Sequence, residues 1–167
     1  MIRSAVLSRS KLMKLLFPLV LGIPAVSAAA PVLYDDSHPN WYYDGTWGPN
    51  TGVSGAIYGT QHLTNVTGSS ASVWCLATSY DTAHFTYYFT SAYNRGRARI
   101  QLLEESAGLV IYDTVVDLYA PGVNRQQSVT FNIPYGGYGY GILIFPEGTK
   151  NDASVNTFID IDAVQCY

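Results

Sequence analysis

Aromatic side chains in turn-rich segments are the residues of this chain best suited to bind a ligand. The sequence has 14 Tyr, 6 Phe and 3 Trp. Rings presented from loops can stack on the apolar C–H face of a sugar while Tyr hydroxyls hydrogen-bond its polar edge. Glycines between Tyr135 and Tyr140 permit tight turns that splay these rings outward. By contrast, Trp47 and Trp74 are expected in the core. The predicted aromatic contacts are Trp41, Tyr43, Tyr135, Tyr138 and Tyr140.

Three arginines alternate along one predicted strand. Arg95, Arg97 and Arg99 share one face because successive side chains of a strand point to opposite sides of the sheet. Two interpretations stay open: a solvated face balanced by nearby acids, or a contact for an acidic sugar or another carboxylate. Arg97 and Arg99, together with Gln101, are therefore the candidate polar contacts of a binding surface.

The closing segment Phe158-Ile-Asp-Ile-Asp-Ala-Val164 places two carboxylates on one side of a strand. Alternation sets Asp160 and Asp162 on one face, opposite the side chains of Ile159 and Ile161. Burying either carboxylate without a partner is costly. The pattern predicts that the two acids face water or hold a cation.

Residues that could catalyse a reaction are scattered. The sequence has no Gly-x-Ser-x-Gly elbow, zinc-spaced His/Cys set or phosphate-cradling glycine loop. His38, His62 and His84 lie on different predicted elements. A glycosidase needs two carboxylates flanking the bond, whereas adjacent side chains such as those of Glu104-Glu105 point to opposite faces of a strand. The chain is therefore not expected to be an enzyme, and a small glycoside-active hydrolase is the weaker alternative.

The N-terminal residues are typical of an export signal. Basic residues precede a short apolar run over 15–26, and Val26-Ser27-Ala28 has the small-x-small character of a cleavage site. The run is too short to span a bilayer. We expect a signal peptide over residues 1–28 and a single domain over 29–167, secreted or associated with the cell surface, without a transmembrane span once the leader is removed.

Charge and cysteine content limit the partners and the compartment. The mature chain keeps five basic and twelve acidic residues, a net charge of −7. Such an acidic chain has no electrostatic reason to bind nucleic acid. Two cysteines in an exported chain predict a disulfide between Cys75 and Cys166, which would fasten the last strand to the sheet.

Turn residues recur at short intervals and separate runs rich in Val, Ile, Thr, Tyr and Phe. Many short strands at this spacing predict an all-β fold, a two-sheet antiparallel β-sandwich or jelly roll. Within 97–103, the side chains of Ala98, Ile100 and Leu102 are expected to point inward. The predicted strands are 55–64, 71–78, 83–91, 97–103, 109–117, 126–133, 138–145 and 157–165.

Several segments, taken in order, resemble the galactose-binding-like β-sandwich modules of secreted bacterial and fungal proteins. The match covers about residues 35–165 and implies a jelly roll related to carbohydrate-binding modules. The matching segments are Tyr43-Asp-Gly-Thr-Trp47, Arg95-Gly-Arg-Ala-Arg-Ile100, Val116-Asp-Leu-Tyr-Ala-Pro121 and Phe158-Ile-Asp-Ile-Asp-Ala-Val164.

The resemblance also allows one cofactor. Some relatives hold a structural calcium with an acidic residue near the first strand and an Asp on the last strand. Asp35 or Asp36 and Asp162 stand at comparable positions here. Calcium takes several oxygen ligands, including backbone carbonyls. No cofactor is expected to be required, and a structural calcium is the one that the resemblance permits.

Together these observations predict a secreted, non-catalytic binding module whose loop aromatics contact a carbohydrate or a cell-surface glycan. The alternative is a structural or adhesive cell-surface protein whose aromatic surface packs against other envelope proteins. The two interpretations differ in a measurable way, because a sugar-binding module should stay monomeric and a surface subunit should self-associate.

Overall fold

β-Strands make up most of the described chain. The computed structural model describes residues 30–76, 84–104, 108–122, 125–133, 139–154 and 156–167, so the predicted signal peptide lies outside the described residues. No helix in these ranges is long and apolar enough to cross a membrane. The strands are β1 (Val32–Asp35), β2 (Trp41–Asp44), β3 (Gly48–Thr51), β4 (Thr60–Thr64), β5 (Ser70–Leu76), β6 (His84–Ser91), β7 (Gly96–Glu104), β8 (Val110–Asp117), β9 (Arg125–Asn132), β10 (Gly139–Lys150), β11 (Ile159–Ile161) and β12 (Ala163–Cys166).

The strands form antiparallel sheets that pack as a β-sandwich. One sheet has five strands in the order β2-β5-β10-β7-β8, another has four in the order β1-β12-β6-β9, and a third has three in the order β11-β4-β3. The last two share one run of chain, because β11 pairs with β4 and β12 pairs with β6 on either side of Asp162. The predicted all-β sandwich is confirmed.

The core lies between the inward faces of these sheets. Ala98, Ile100 and Leu102 of β7 are fully buried, as the alternation predicts. Burial of such apolar side chains is the main force holding a sandwich together. Those that meet them from other strands include Val73, Phe85, Tyr87, Ile142, Ile144, Ile159, Ile161 and Val164.

Several element boundaries differ from the prediction. β1, β2 and β3 were not predicted, since each has only four residues. The segment predicted as a strand from residue 55 begins instead with a 3-10 turn, Ile57–Gly59, in which Tyr58 has a φ of 53°. β10 runs on past residue 145 to Lys150, through an irregularity between Pro146 and Lys150 that keeps it paired with β7.

A disulfide joins Cys75 to Cys166, as predicted. Cys75 lies in β5 of the five-stranded sheet and Cys166 in β12 of the four-stranded sheet. Both sulfurs are buried within the core. The bond therefore crosses the sandwich and fastens the last strand to the opposite layer.

Candidate functional site

Trp74 lies flat on the outer surface of the five-stranded sheet. It pairs with Gly141 of β10, and a Cβ atom placed on Gly141 would lie 3.0, 3.1 and 3.2 Å from three adjacent atoms of the indole ring. A point beyond the ring edge would be clearly nearer to one of these atoms than to its neighbours. The near-equal distances therefore place Gly141 beneath the ring face. With half of its surface exposed, Trp74 presents its other face to solvent.

Outward side chains, most of them polar, continue this surface across all five strands. The register aligns Tyr42 with Ser72, Ser72 with Leu143, Leu143 with Gln101, and Gln101 with Asp113. Side chains opposite each other in a sheet lie on the same face. We call this outward surface of the five-stranded sheet the open face. Its principal side chains are Tyr42, Ser72, Trp74, Leu143, Gln101 and Asp113.

The predicted polar contacts Arg97 and Arg99 lie on this open face, and each is paired with an acid. Nε and Nη2 of Arg99 donate to the two carboxylate oxygens of Asp113 at 2.8 and 2.6 Å, and Gln101 donates to the same carboxylate at 3.2 Å. The hydrogen bond from Arg99 lowers the pKa of Asp113 below its usual value. Arg97 lies 3.9 Å from Asp117. This arrangement matches the interpretation of a solvated face balanced by acids.

Several predicted aromatic contacts lie elsewhere. Trp41 and Tyr140 are only 8% and 1% exposed, so they are not loop rings; each lies in a strand with its side chain in the core, and their prediction as ligand contacts is corrected. Tyr43 packs partly buried against the core and donates to the carbonyl of Asp36 at 2.8 Å. Burial raises the pKa of its hydroxyl, with the charge of Asp36 adding to the rise.

The remaining aromatic predictions have different outcomes. Tyr135 and Tyr138 lie outside the described residues. Trp47 packs partly buried against the core, in line with its prediction. Trp74 was expected in the core and is exposed instead. Its strand carried the signal, because Ala71, Val73 and Cys75 alternate with Ser70 and Ser72, and this alternation places Trp74 on the outer face.

Arg95 and Asp160 form an ion pair inside the sandwich. Asp160 is fully buried, and Nε of Arg95 donates to its carboxylate at 3.2 Å. The backbone N–H and the hydroxyl of Thr90 donate to the same group. Burial raises the pKa of Asp160, and the charge of Arg95 opposes that rise. Asp160 therefore does not face water, and Arg95 does not share the solvated face of the other two arginines.

Asp36 and Asp162 lie beside each other near the junction of β11 and β12. The N–H of Asp36 donates to the carbonyl of Asp162 at 2.9 Å. The Asp36 carboxylate accepts from the hydroxyl of Thr60 at 2.6 Å and lies 2.9 Å from Nδ1 of His62. Asp162 accepts from the N–H of Ile57 at 2.7 Å. Burial raises the pKa of Asp162 to about 6, and neighbouring carboxylates add to the rise.

This geometry bears on the predicted calcium. Asp35, the other candidate, accepts a hydrogen bond from Ser37. The oxygens of Asp36 and Asp162 already meet protein partners, and the described ranges contain no group of three His, Cys, Asp or Glu side chains placed to hold a metal. Calcium binding at these three acids stays a prediction. Asp162 is also buried, and it does not face water as predicted.

Solved structures with this fold include carbohydrate-binding modules. A family 35 module from Clostridium thermocellum superimposes with a TM-score of 0.51 at 12% identity, over 83% of this chain and 98% of the module. A family 35 module from an environmental isolate gives a TM-score of 0.54 at 15% identity, over 81% and 92% of the two chains. These likenesses confirm the predicted resemblance in fold. Identities this low show the fold alone.

A larger protein contains a similar domain. The exo-β-1,3-galactanase of Phanerochaete chrysosporium, solved with β-1,3-galactotriose, matches with a TM-score of 0.52 at 16% identity. The match covers 83% of this chain and only 30% of the galactanase. No protein-family model matches the sequence, and a comparison with curated proteins finds no match.

Proposed function

We propose that this chain is a secreted, non-catalytic module that binds carbohydrate on its open face. The observation that carries the proposal is Trp74, whose indole lies on Gly141 with one face toward solvent. A tryptophan contributes more to stability when buried, so a flat ring left half exposed on the second strand of the sheet is better explained by a ligand than by packing. A sugar ring can stack on that face.

The surroundings of Trp74 supply the polar half of such a site. Ser72 precedes it by two residues on the same face, and Gln101 and Asp113 lie across β10. Sugar sites combine an apolar surface with a few placed polar groups that fix orientation. Two of the structures that share this fold are named as carbohydrate-binding modules, which supports the same proposal.

Two features support the secreted and non-catalytic parts of the proposal. The Cys75–Cys166 disulfide is typical of proteins from an oxidising compartment. On the open face, the carboxylates of Asp113 and Asp117 each pair with an arginine. The hydrogen bond from Arg99 lowers the pKa of Asp113 and so favours its ionised form, whereas glycoside hydrolysis needs one protonated acid beside one carboxylate.

Binding of the mature protein to an array of glycans tests the proposal. Trp74→Ala should lose most of the signal because the stacking surface is gone. Tyr93→Ala is the matched control, since Tyr93 is a half-exposed aromatic in the turn between β6 and β7 and belongs to no strand of the five-stranded sheet. Its binding should equal that of the wild type. A wild-type protein that binds no glycan would reject the function.

The loop tyrosines need their own variant. Tyr135 and Tyr138 precede β10 in the chain and stay predicted contacts. If Tyr138→Ala abolishes binding while Trp74→Ala leaves it intact, the site lies around Tyr138 and the open face is the wrong surface. If only Trp74→Ala abolishes it, the open face carries the binding.

A second candidate function is an adhesive or structural surface protein. Aliphatic side chains near Trp74 favour it, because Leu76, Leu109 and Val110 are each about half exposed. Exposed aliphatic groups of this kind mark protein contacts as well as ligand sites. Self-association of the purified protein would support this second function.

A further inference from the structure

We infer that the open face binds a neutral glycan chain several sugar units long, in preference to an acidic or a single sugar. The inference rests on the proposed function and concerns the ligand that the same site takes. It follows from how the charges of the open face are paired and from how far its polar and aromatic side chains extend.

Charge balance excludes an acidic ligand as the preferred one. Arg99 makes two parallel hydrogen bonds to Asp113, the strongest geometry for this pair of groups. Arg97 faces Asp117. A ligand carboxylate would meet an Arg99 whose charge Asp113 already balances, and it would also meet the net negative charge of the chain. The open face therefore has no free cation among its described residues with which to attract an acidic sugar.

The same pairing suits hydroxyl groups. Asp113 accepts three hydrogen bonds, from two nitrogens of Arg99 and one of Gln101, which leaves about one further lone-pair position. The guanidinium keeps donors beyond the two that it uses for Asp113. A donor and an acceptor side by side match two neighbouring hydroxyls of a neutral sugar, because a hydroxyl both donates and accepts.

The extent of the open face indicates a chain of sugars. From Tyr42 on β2 to Asp113 on β8 the register crosses four strand spacings, about 19 Å. Tyr42 is 68% exposed, so a second ring is available at the far edge. Between them lie Ser72, Leu143 and Gln101, one outward side chain from each intervening strand, so a glycan chain lying across the strands would contact this row along its length.

Asp113→Asn provides the sharpest test. Neutralising Asp113 releases Arg99, so this variant should lose affinity for a neutral glycan and gain binding to polygalacturonate. Asp152→Asn is the matched control, because it removes the same charge at an exposed position outside the open face. It should leave both affinities unchanged. An Asp113→Asn protein that gains nothing for polygalacturonate would contradict the role given to the Arg99–Asp113 pair.

The probes are β-1,3-galactan, β-1,3-glucan and mannan as neutral chains, and polygalacturonate as the acidic one. The wild type should bind at least one neutral chain with little change between low and high salt, and at least tenfold more tightly as a tetrasaccharide than as a monosaccharide. Trp74→Ala should weaken binding of the neutral chain tenfold or more. Salt-sensitive binding to polygalacturonate alone would overturn the inference while the proposed function stands; no binding to any probe would overturn both.

Discussion

Arg95 is a single residue with a large expected effect on stability. Its guanidinium is the counter-charge of Asp160, which is fully buried and far from solvent. In Arg95→Met the carboxylate stays buried without its partner, and breaking a buried pair in this way costs about 3–5 kcal/mol. Urea unfolding followed by tryptophan fluorescence measures the change in the free energy of unfolding.

Measurements at acidic pH and on a second arginine variant are the controls for Arg95→Met. Without Arg95, the pKa of Asp160 should rise further, so part of the lost stability should return at acidic pH, where the carboxyl takes up a proton. Arg97→Met removes an arginine whose side chain is 41% exposed and lies 3.9 Å from Asp117, and it should change stability little. Equal losses for the two variants would show that burial of the pair is not what matters.

Asp162 makes stability depend on pH. Its pKa is about 6 in the folded protein and about 3.9 when unfolded. The folded chain therefore holds the proton more tightly, and the free energy of unfolding falls as pH rises from about 4 to about 6. Relative to Asp162→Asn, the wild type should lose roughly 2–3 kcal/mol over this interval. Parallel profiles for the two proteins would contradict this assignment.

The Asp162→Asn variant also tests whether Asp162 binds calcium. If Asp162 ligated a calcium ion, as the family resemblance implies, EGTA at neutral pH would lower the melting temperature of the wild type, and Asp162→Asn would abolish that response. If the hydrogen bonds from Ile57 and Gln126 satisfy the carboxylate, chelation should leave the melting temperature unchanged. The two outcomes exclude each other.

At the scale of elements, the bond between β5 and β12 ties the two layers together. The bridged cysteines are 91 residues apart, and closing a loop of that length in the unfolded chain stabilises the fold by about 4–5 kcal/mol in the chain-entropy model. Cys75→Ser/Cys166→Ser should lower the free energy of unfolding by about this amount. An oxidised and a reduced sample compared by mass spectrometry should differ by two hydrogens, and free thiols in the native protein would contradict the bond.

How far the sequence predicts these elements depends on how regular each strand is. β7 alternates fully, so its buried set was predicted correctly. In β11 the alternation misled, because Ile159, Asp160 and Ile161 are all buried. The strand is covered on both sides, and Asp160 is tolerated because Thr90 and Arg95, the latter from a turn 65 residues away, donate to its carboxylate. An ion pair between residues so far apart in the sequence cannot be predicted from the alternation within one strand.

The candidate site, too, was predicted only in part from the sequence. The alternation of Arg97 and Arg99 predicted their common face, but it left their partners open, since Asp113 and Asp117 belong to another strand. Trp74 was assigned to the core on its residue type, although its neighbours in β5 place it outward. A large aromatic residue is buried on average, and only the sheet register showed that it rests on a glycine.

The whole molecule is expected to be a monomer in solution. Without the predicted signal peptide the chain carries a net charge of −7, so copies repel one another. Two open faces could meet only by desolvating the ion pairs of Arg97 and Arg99. Light scattering after gel filtration should give the monomer mass over a wide range of protein concentration. A mass that grows with concentration, and returns to the monomer value in Trp74→Ala, would instead identify the open face as the contact surface of an adhesive protein. The Tyr93→Ala control distinguishes that outcome from general stickiness, because a contact confined to the open face would not respond to a substitution in the turn between β6 and β7.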